Sequence, residues 1–94
     1  MNYELEFHPK ALREWNKLGD TIKKQFKTKL VERLDTPRIA TAKLSGYPDL
    51  YKIKLRGAGY RLVYKVFNER LVVYVLTIGK RERKEVYLKI DNRT

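Results

Sequence analysis

Basic side chains that could act on a phosphodiester are concentrated in one stretch near the middle of the chain, at Lys52, Lys54, Arg56, Arg61 and Lys65. The first three alternate strictly with the apolar residues Tyr51, Ile53 and Leu55, so a β-strand here directs three cations to one face. Clustered cations can neutralise the negative charge that builds up on a phosphate under attack. The pattern therefore predicts a basic sheet surface suited to nucleic acid.

A hairpin formed by this stretch has only certain registers that keep its charges out of the core. Directly paired residues of an antiparallel hairpin share a face and their numbers add to a constant, so a sum of 115 or 117 sets Lys54 opposite Arg61 or Val63. An even sum would pair Lys54 with Leu62 and bury the lysine. The two glycines of the GAG turn can adopt the positive φ values that such a register needs.

The charge of the whole chain also favours an anionic partner. Its 94 residues include 22 Lys and Arg against 11 Asp and Glu, a formal charge of +11, and the length suits one domain over residues 1–94. Nucleic acid, an anionic membrane and an acidic protein all qualify as partners. Because the basic residues are spread through helix and strand patterns, a folded basic surface is favoured over a disordered tail.

Several classes of site and location are disfavoured by what the sequence lacks. There is no cysteine and one histidine, so thiolate metal sites are excluded and neither a metal nor another cofactor is expected. Neither a signal peptide nor an apolar run of about 18 residues is present, so we expect a cytoplasmic protein without a membrane partner. His8 lies where a helix begins, and we interpret it as a cap or surface residue rather than a base.

The apolar periodicity predicts the element order β-α-α-β-β-β followed by a short helix. The predicted elements are a strand with Tyr3, Leu5 and Phe7 inward, a helix over 9–19, a helix capped by Asp20 or Thr21 and broken at 35–37, strands over 50–56, 60–67 and 71–78, and a helix from 82 to about 89. Residues 38–48 show weak periodicity and are interpreted as a surface connection.

The basic sheet face has an ordinary alternative explanation, namely a solvated face that protects a sheet edge. The short GAG turn, the net charge and the GKRER segment favour an RNA surface instead. That segment can bring Lys80, Arg81 and Arg83 back to the sheet, followed by Tyr87. Cations bind phosphates and an aromatic ring stacks on a base, so this combination suits RNA.

The motifs of the chain resemble those of the RelE family of bacterial type II toxins. The resemblance runs without gaps over nearly the whole chain, becomes weaker after Tyr87, and lies in the segments KALREWNKLG, PRIATAKLSGYPD, YKIKLRGAGYRLVYKV and IGKRERKEVY. It implies an α+β fold related to microbial ribonucleases, with two N-terminal helices packed on a mainly antiparallel four-stranded sheet and a short C-terminal helix. It also implies cleavage of mRNA in the ribosomal A site, which inhibits translation.

The resemblance further implies which residues act. The family's catalytic positions correspond to Lys52, Lys54, Arg61, Arg81 and Tyr87. We expect contacts with RNA or the ribosome from Lys23, Lys24, Lys27, Lys29, Lys43, Arg56, Lys80 and Arg83. The four lysines of the second helix fit an ordinary solvated face equally well. Ser45 departs from the family, because close relatives often have an arginine there that helps to hold the substrate or ribosomal RNA, so the resemblance does not extend to that contact.

These residue types suit cleavage of RNA by its own 2′-hydroxyl, which attacks the adjacent phosphorus and gives a 2′,3′-cyclic phosphate and a 5′-hydroxyl without a metal. Lys52 or Lys54 would act as the base and stabilise charge. Arg61 would bind the phosphate oxygens, and Arg81 the phosphate and leaving group. Tyr87 would orient the nucleotide. Crowding by neighbouring cations should lower the pKa of whichever lysine serves as the base.

The resemblance also implies partners, which are a cognate acidic RelB-like antitoxin, the 70S ribosome with its 16S rRNA, A-site mRNA, and operator DNA through the antitoxin complex. A competing hypothesis is a toxin relative on the same scaffold that blocks gyrase or the ribosome without cleaving. Lys54, Arg61, Arg81 and Tyr87 favour the nuclease, because a protein that only binds has no need of this set. A third hypothesis, a small basic ribosomal or nucleoid protein, explains the charge but not the order of the motifs.

Overall fold

The computed structural model describes residues 3–80 and 85–93. Its elements in chain order are β1 Glu4–Phe7, α1 Pro9–Asn16, α2 Asp20–Asp35, a 3₁₀ turn at Ala40–Ala42, β2 Leu50–Leu55, β3 Tyr60–Phe67, β4 Val72–Lys80, α3 Glu85–Leu88 and α4 Ile90–Arg93. The predicted order of strands and helices is confirmed. Of the predicted C-terminal helix from 82 to about 89, residues 82–84 lie outside the described part of the chain and Glu85–Leu88 is helical, and a further short helix follows at Ile90–Arg93.

The four strands form one mixed sheet in the order β1-β4-β3-β2. Both β2 with β3 and β3 with β4 pair antiparallel, whereas β1 pairs parallel with β4. A parallel pair needs a long connection, which the two helices and the β2-β3 hairpin provide here. The α+β architecture is therefore confirmed, with one parallel pair in a sheet that the resemblance implies is mainly antiparallel.

The first strand is an edge strand, and this changes the predicted environment of one residue. Tyr3 and Phe7 pack against the core, as the alternation predicts. Leu5, which the alternation places on the same side, is 37% exposed. Because β1 has a neighbour on one side only, its central side chain is not covered as it would be in an inner strand.

The two long helices begin in different ways. His8 caps α1, because its Nδ1 accepts a hydrogen bond from the backbone N–H of Lys10 at 3.1 Å, and Pro9 occupies the first turn. The predicted cap of α2 by Asp20 or Thr21 is wrong, since Gly19 holds the cap position without a side-chain bond and Asp20 lies in the first turn. An aspartate there still interacts favourably with the helix dipole.

The main core lies between these helices and one face of the sheet. Trp15 of α1 and Phe26 of α2 are in ring contact, with centroids 6.4 Å apart, and Leu30 and Leu34 continue the buried side of α2. The facing sheet positions are apolar and buried, and include Tyr51, Ile53, Leu55, Leu62, Tyr64, Val66, Val73 and Val75. This arrangement places the cations of β2 on the opposite face of the sheet.

That opposite face is partly covered by the C-terminal helices. Leu50, Val63 and Leu76 form a second buried cluster there with Ile90 of α4, and Tyr87 of α3 packs against it. Val63 and Leu76 provide apolar surface for the last helices. Of the basic residues of the hairpin, Arg56 beside the GAG turn is exposed, and the others are half-buried.

The connection over 38–48 is held more firmly than its weak periodicity suggests. Arg38 donates hydrogen bonds to Asp49, Tyr51 and Asn68 at 3.0 to 3.3 Å. Lys43 forms an isolated antiparallel bridge with Tyr51. The segment therefore runs along the edge of the sheet next to β2.

Candidate active site and RNA interface

The β2-β3 hairpin has the register that keeps its charges out of the core. Lys54 pairs directly with Arg61, and Lys52 pairs with Val63. The numbers of each pair add to 115, which is one of the two sums that the sequence permits. Gly59 in the turn has a φ of +71°, so one of the two predicted glycine positions needs the left-handed conformation. The register places Lys52, Lys54 and Arg61 on one face.

A cleft of about 280 Å³ opens at this end of the hairpin, lined by the side chains of Lys54, Arg56, Tyr60 and Arg61 together with Leu55 and Gly59. None of the described residues that line it is a carboxylate. The cleft is therefore a polar, positively charged recess beside a tyrosine ring, which suits a phosphate and its attached nucleotide.

Mutual repulsion within this group affects the acidity of one lysine. The positive charge of Lys52, followed by that of Arg61, lowers the pKa of Lys54 below its ordinary value. Lys54 is half-buried, and desolvation lowers its pKa less than the two neighbouring charges do. A lysine with a lowered pKa is more often neutral near pH 7 and is better able to accept a proton.

Tyr87 lies beside this cationic group. The Nη1 of Arg61 donates a hydrogen bond of 2.7 Å to the Tyr87 hydroxyl, and the guanidinium carbon is 5.9 Å from the centroid of the ring. The structure thus brings together Lys52, Lys54, Arg61 and Tyr87 among the predicted catalytic residues. Arg81, the fifth, lies outside the described residues.

The position of Tyr87 depends on a carboxylate in α1 that sequence reasoning missed. Glu14 accepts hydrogen bonds from Lys89 at 2.9 Å and from both terminal nitrogens of Arg93 at 2.9 and 3.0 Å. The backbone N–H of Ile78 also donates to Glu14 at 3.0 Å, and Arg93 donates to the carbonyl of Leu76. We call these residues, Glu14, Lys89 and Arg93, the Glu14 cluster. It fixes α4 to α1 and to β4, and so holds the adjoining α3.

The electrostatics of the Glu14 cluster favour the ionised carboxylate. Burial by itself raises the pKa of Glu14, but the hydrogen bonds from Arg93, Lys89 and Ile78 outweigh it and leave the pKa below its ordinary value. The side chain of Glu14 is 17% exposed and that of Arg93 is 7% exposed, so the pair is well shielded. A second link, a 2.6 Å hydrogen bond from the Tyr47 hydroxyl to Asp91, ties α4 to the connection before β2.

The strand that carries the lysines is supported from the helix side. Nη1 of Arg33 in α2 donates to the carbonyl of Lys52 at 3.2 Å and to the Tyr64 hydroxyl at 2.8 Å. The Tyr64 hydroxyl in turn donates to the carbonyl of Pro37 at 2.6 Å. Buried groups satisfied in this way fix the position of β2 relative to α2.

The residues predicted to contact RNA or the ribosome occupy several surfaces. Arg56 and Lys80 lie at the same end of the sheet as Arg61, because Arg56 follows β2 and Lys80 pairs with the first residue of β3. Lys43 lies at the bridge with Tyr51, away from that end. Arg83 lies outside the described residues. Ser45 is exposed in the loop before Gly46, whose φ is +86°.

The four lysines of α2 do not form one patch. Lys23 and Lys27 are one turn apart and share a side, whereas Lys29 is about 200° around the helix from Lys27. Lys29 faces the end of β2, where it lines a groove together with Lys54 and Arg56. Lys24, Lys27 and Lys29 are exposed and Lys23 is half-buried.

The described residues form neither a metal site nor a membrane span. Over 3–80 and 85–93, no group of three or more His, Cys, Asp or Glu side chains is placed to hold a metal ion. No helix in the same residues is long and apolar enough to cross a bilayer.

Comparison with known proteins identifies the family. A family model described as the ParE toxin of the type II toxin-antitoxin system parDE matches residues 5–85. The mRNA interferase toxin RelE of Escherichia coli (strain K12) is 60% identical over 93 residues, which are 99% of this chain and 98% of that protein. This chain belongs to the RelE family of type II toxins.

Solved structures of the RelE family agree with the fold described above. A double mutant of E. coli RelE in the free state superposes with a TM-score of 0.91 at 55% identity, covering 99% of this chain and 98% of that one. E. coli RelE in the intact RelBE toxin-antitoxin complex gives a TM-score of 0.81 at 58% identity, covering 83% of this chain and 95% of that one. The resemblance drawn from the motifs is therefore confirmed, as is the α+β fold that it implies.

Proposed function

We propose that this chain is the toxin of a type II toxin–antitoxin module and acts as an mRNA interferase, an endoribonuclease that cleaves mRNA in the ribosomal A site. A relative named mRNA interferase toxin RelE is 60% identical over 99% of the chain, which supports this activity. The observation that carries the proposal is the pairing of Lys54 and Arg61 in one positively charged cleft, with the Tyr87 hydroxyl hydrogen-bonded to Arg61. A phosphate held there would be in contact with both a base and a source of positive charge.

In this mechanism Lys54 removes the proton from the 2′-hydroxyl that attacks the adjacent phosphorus. Its pKa is lowered chiefly by the charge of Lys52 and then by that of Arg61, which increases the neutral fraction of its amine. The bond from the 2′-oxygen to phosphorus forms, and the bond to the 5′-oxygen of the next nucleotide breaks. The products are a 2′,3′-cyclic phosphate and a 5′-hydroxyl.

Arg61 stabilises the negative charge on the phosphorane and Tyr87 orients the nucleotide. A guanidinium has five N–H donors, so Arg61 can keep its bond to the Tyr87 hydroxyl while other donors bind phosphate oxygens. Lys52 adds positive charge close to Lys54. We assign Arg81 to the phosphate and the leaving oxygen on the basis of the family resemblance alone.

We infer that no divalent ion takes part in the bond-breaking step, because cationic side chains supply the charge that an ion would otherwise provide. The partners in this proposal are the 70S ribosome with its 16S rRNA, A-site mRNA, and an acidic RelB-like antitoxin that neutralises the basic surface. Operator DNA is contacted only through the antitoxin complex. We place the protein in the cytoplasm, where translating ribosomes are found.

The test is cleavage of a message on ribosomes programmed with a defined A-site codon, read by primer extension. The wild-type protein should create new 5′ ends within the codon, and Arg61→Gln should lower the single-turnover rate by about 10²-fold or more, as loss of a charge-stabilising donor does. Arg13→Gln, an exposed arginine of α1, is the control and should cleave at the wild-type rate. A short RNA incubated in EDTA at high enzyme concentration tests the need for a metal.

Two results would contradict the proposal. Ribosomes that stall without new 5′ ends would indicate a toxin that binds and does not cleave. Equal rates for Arg61→Gln and the wild-type protein would remove the cleft from the mechanism.

A further inference from the structure

A second groove adjoins the active-site cleft. It has a volume of about 550 Å³, lies between α2 and the end of β2, and shares Lys54, Leu55 and Arg56 with the cleft. The remaining side chains that line it are Gln25, Thr28 and Lys29 of α2. A strand of RNA with its scissile phosphate at Lys54 therefore has a continuous path into this groove.

The side chains of the groove have the chemistry of a nucleotide site. Gln25, Thr28 and Lys29 are spaced at i, i+3 and i+4, so they share one side of α2. Within the part of the chain that the structure describes, the groove is lined by no carboxylate. Lys29 and Arg56 are both exposed, and among the side chains that the structure describes neither has a carboxylate partner, so both can bind a phosphate.

Gln25 supplies the feature that distinguishes this groove from a plain basic surface. Its exposed side chain forms no hydrogen bond with the described part of the protein, so both its donor and its acceptor are available. A side-chain amide can form paired hydrogen bonds with the edge of a base, which phosphate-binding cations cannot do. The Thr28 hydroxyl donates to the carbonyl of Lys24 and so keeps a lone pair directed outward as an acceptor.

We propose that this groove is a subsite for an unpaired nucleotide of the message next to the cleaved phosphate, with Gln25 reading its base and Lys29 and Arg56 binding its phosphate. The inference rests on the proposed endonuclease function, and it gives Lys29 a role in holding mRNA rather than ribosomal RNA. It also predicts that the identity of this nucleotide affects the cleavage rate through Gln25.

The test compares cleavage rates over a set of A-site codons that differ at one nucleotide at a time. Gln25→Ala should reduce the spread of rates between codons by about two- to ten-fold, which is the effect of one hydrogen bond. Lys29→Gln should raise the toxin concentration at half-maximal rate, because a phosphate contact is lost. The matched controls are Asn16→Ala and Lys17→Gln, which remove an exposed amide and an exposed lysine on the other helix.

A direct measurement of contact uses a message with 4-thiouridine on either side of an uncleavable 2′-deoxy position. Irradiation should cross-link the message to α2 at or near Gln25, and a contact between α2 and ribosomal RNA gives no cross-link because the label is only in the message.

If the message is cut but no cross-link forms in α2 and Gln25→Ala keeps the wild-type codon preference, the subsite is wrong and the nuclease function stands. If the cross-link forms in α2 but the wild type does not cut a normal message, the nuclease function is wrong and the contact stands. Failure of both measurements overturns both proposals.

Discussion

Replacement of Glu14 by Gln should uncouple the C-terminal helices from the rest of the fold. The carboxylate accepts four hydrogen bonds, three of them from the cations Lys89 and Arg93. A neutral amide cannot accept all four, and it leaves Arg93, only 7% exposed, without an anion. Removing one partner of a buried ion pair lowers the free energy of unfolding by about 3–5 kcal/mol. Because the side chain of Lys89 is 39% exposed, we expect a loss of about 2–4 kcal/mol for Glu14→Gln.

Thermal unfolding followed by far-UV circular dichroism measures this loss. For a domain of this size a loss of about 1 kcal/mol lowers Tm by about 4–8 °C, so Tm should fall by at least about 8 °C. Hydrogen exchange should show the earliest loss of protection in α3 and α4, since the Glu14 cluster is what ties them to α1. Glu32→Gln, an exposed carboxylate of α2, is the matched control and should change stability by less than about 0.5 kcal/mol.

The difference between wild type and Glu14→Gln should depend on pH. The pKa of Glu14 is lowered in the folded state, so its stabilising effect is complete above its ordinary value of 4.5 and is lost as the pH falls through the folded value. The two unfolding curves should therefore converge in acid. A Glu14→Gln protein as stable as the Glu32→Gln control at pH 7 would refute this account of the cluster.

Three further predictions concern the hairpin and its support. Lys52→Gln removes the largest cause of the lowered pKa of Lys54, so the rising limb of the pH–rate profile should move to higher pH and the rate at pH 7 should fall about ten-fold for each unit of the shift, with Lys17→Gln unchanged. Gly59→Ala should lower the free energy of unfolding in urea by about 1–2 kcal/mol, because φ is +71° there, although a Cβ would meet no atom. Gly57 has no positive φ, so Gly57→Ala should lower it by less than about 0.5 kcal/mol. Tyr64→Phe should cost about 1–3 kcal/mol because Arg33 and the Pro37 carbonyl each lose a buried partner, while Tyr3→Phe, which loses an exposed bond, should stay close to wild type.

Each of the three has an outcome that contradicts it. An unshifted pH–rate profile for Lys52→Gln would remove the repulsion argument. Equal stability of the two glycine variants would show that the turn tolerates a side chain at positive φ. A Tyr64→Phe protein no less stable than Tyr3→Phe would mean that water replaces the buried hydroxyl.

The hairpin register was predictable from the sequence because burial rejects its alternatives. Pairing Lys54 with Leu62 would bury an ammonium group, so only odd sums remain and the observed partner is Arg61. The helix boundaries near Pro9 and Pro37 follow in the same way from local chemistry. These features are determined by residues close together in the sequence, so the local pattern of residues is enough to predict them.

The features that sequence reasoning missed depend on distant neighbours. Glu14 and Arg93 are 79 residues apart, and nothing in the local pattern around either indicates the other. The exposed Leu5 and the parallel pairing of β1 depend on which strand lies at the edge, a property of the whole sheet. The alternation of β3 likewise gave no sign that Val63, on the basic face, packs in a cluster with Ile90.

The crowding of Lys52, Lys54 and Arg61 links ligand binding to the stability of the hairpin. In the empty protein these ammonium and guanidinium groups repel one another, so the folded state carries an unfavourable electrostatic free energy at this position. Any polyanion that binds there removes the repulsion and stabilises the native chain in proportion to RT ln(1 + [L]/Kd). An acidic inhibitor that blocks the cleft would thus also protect the toxin from denaturation, with both effects arising from the same charges.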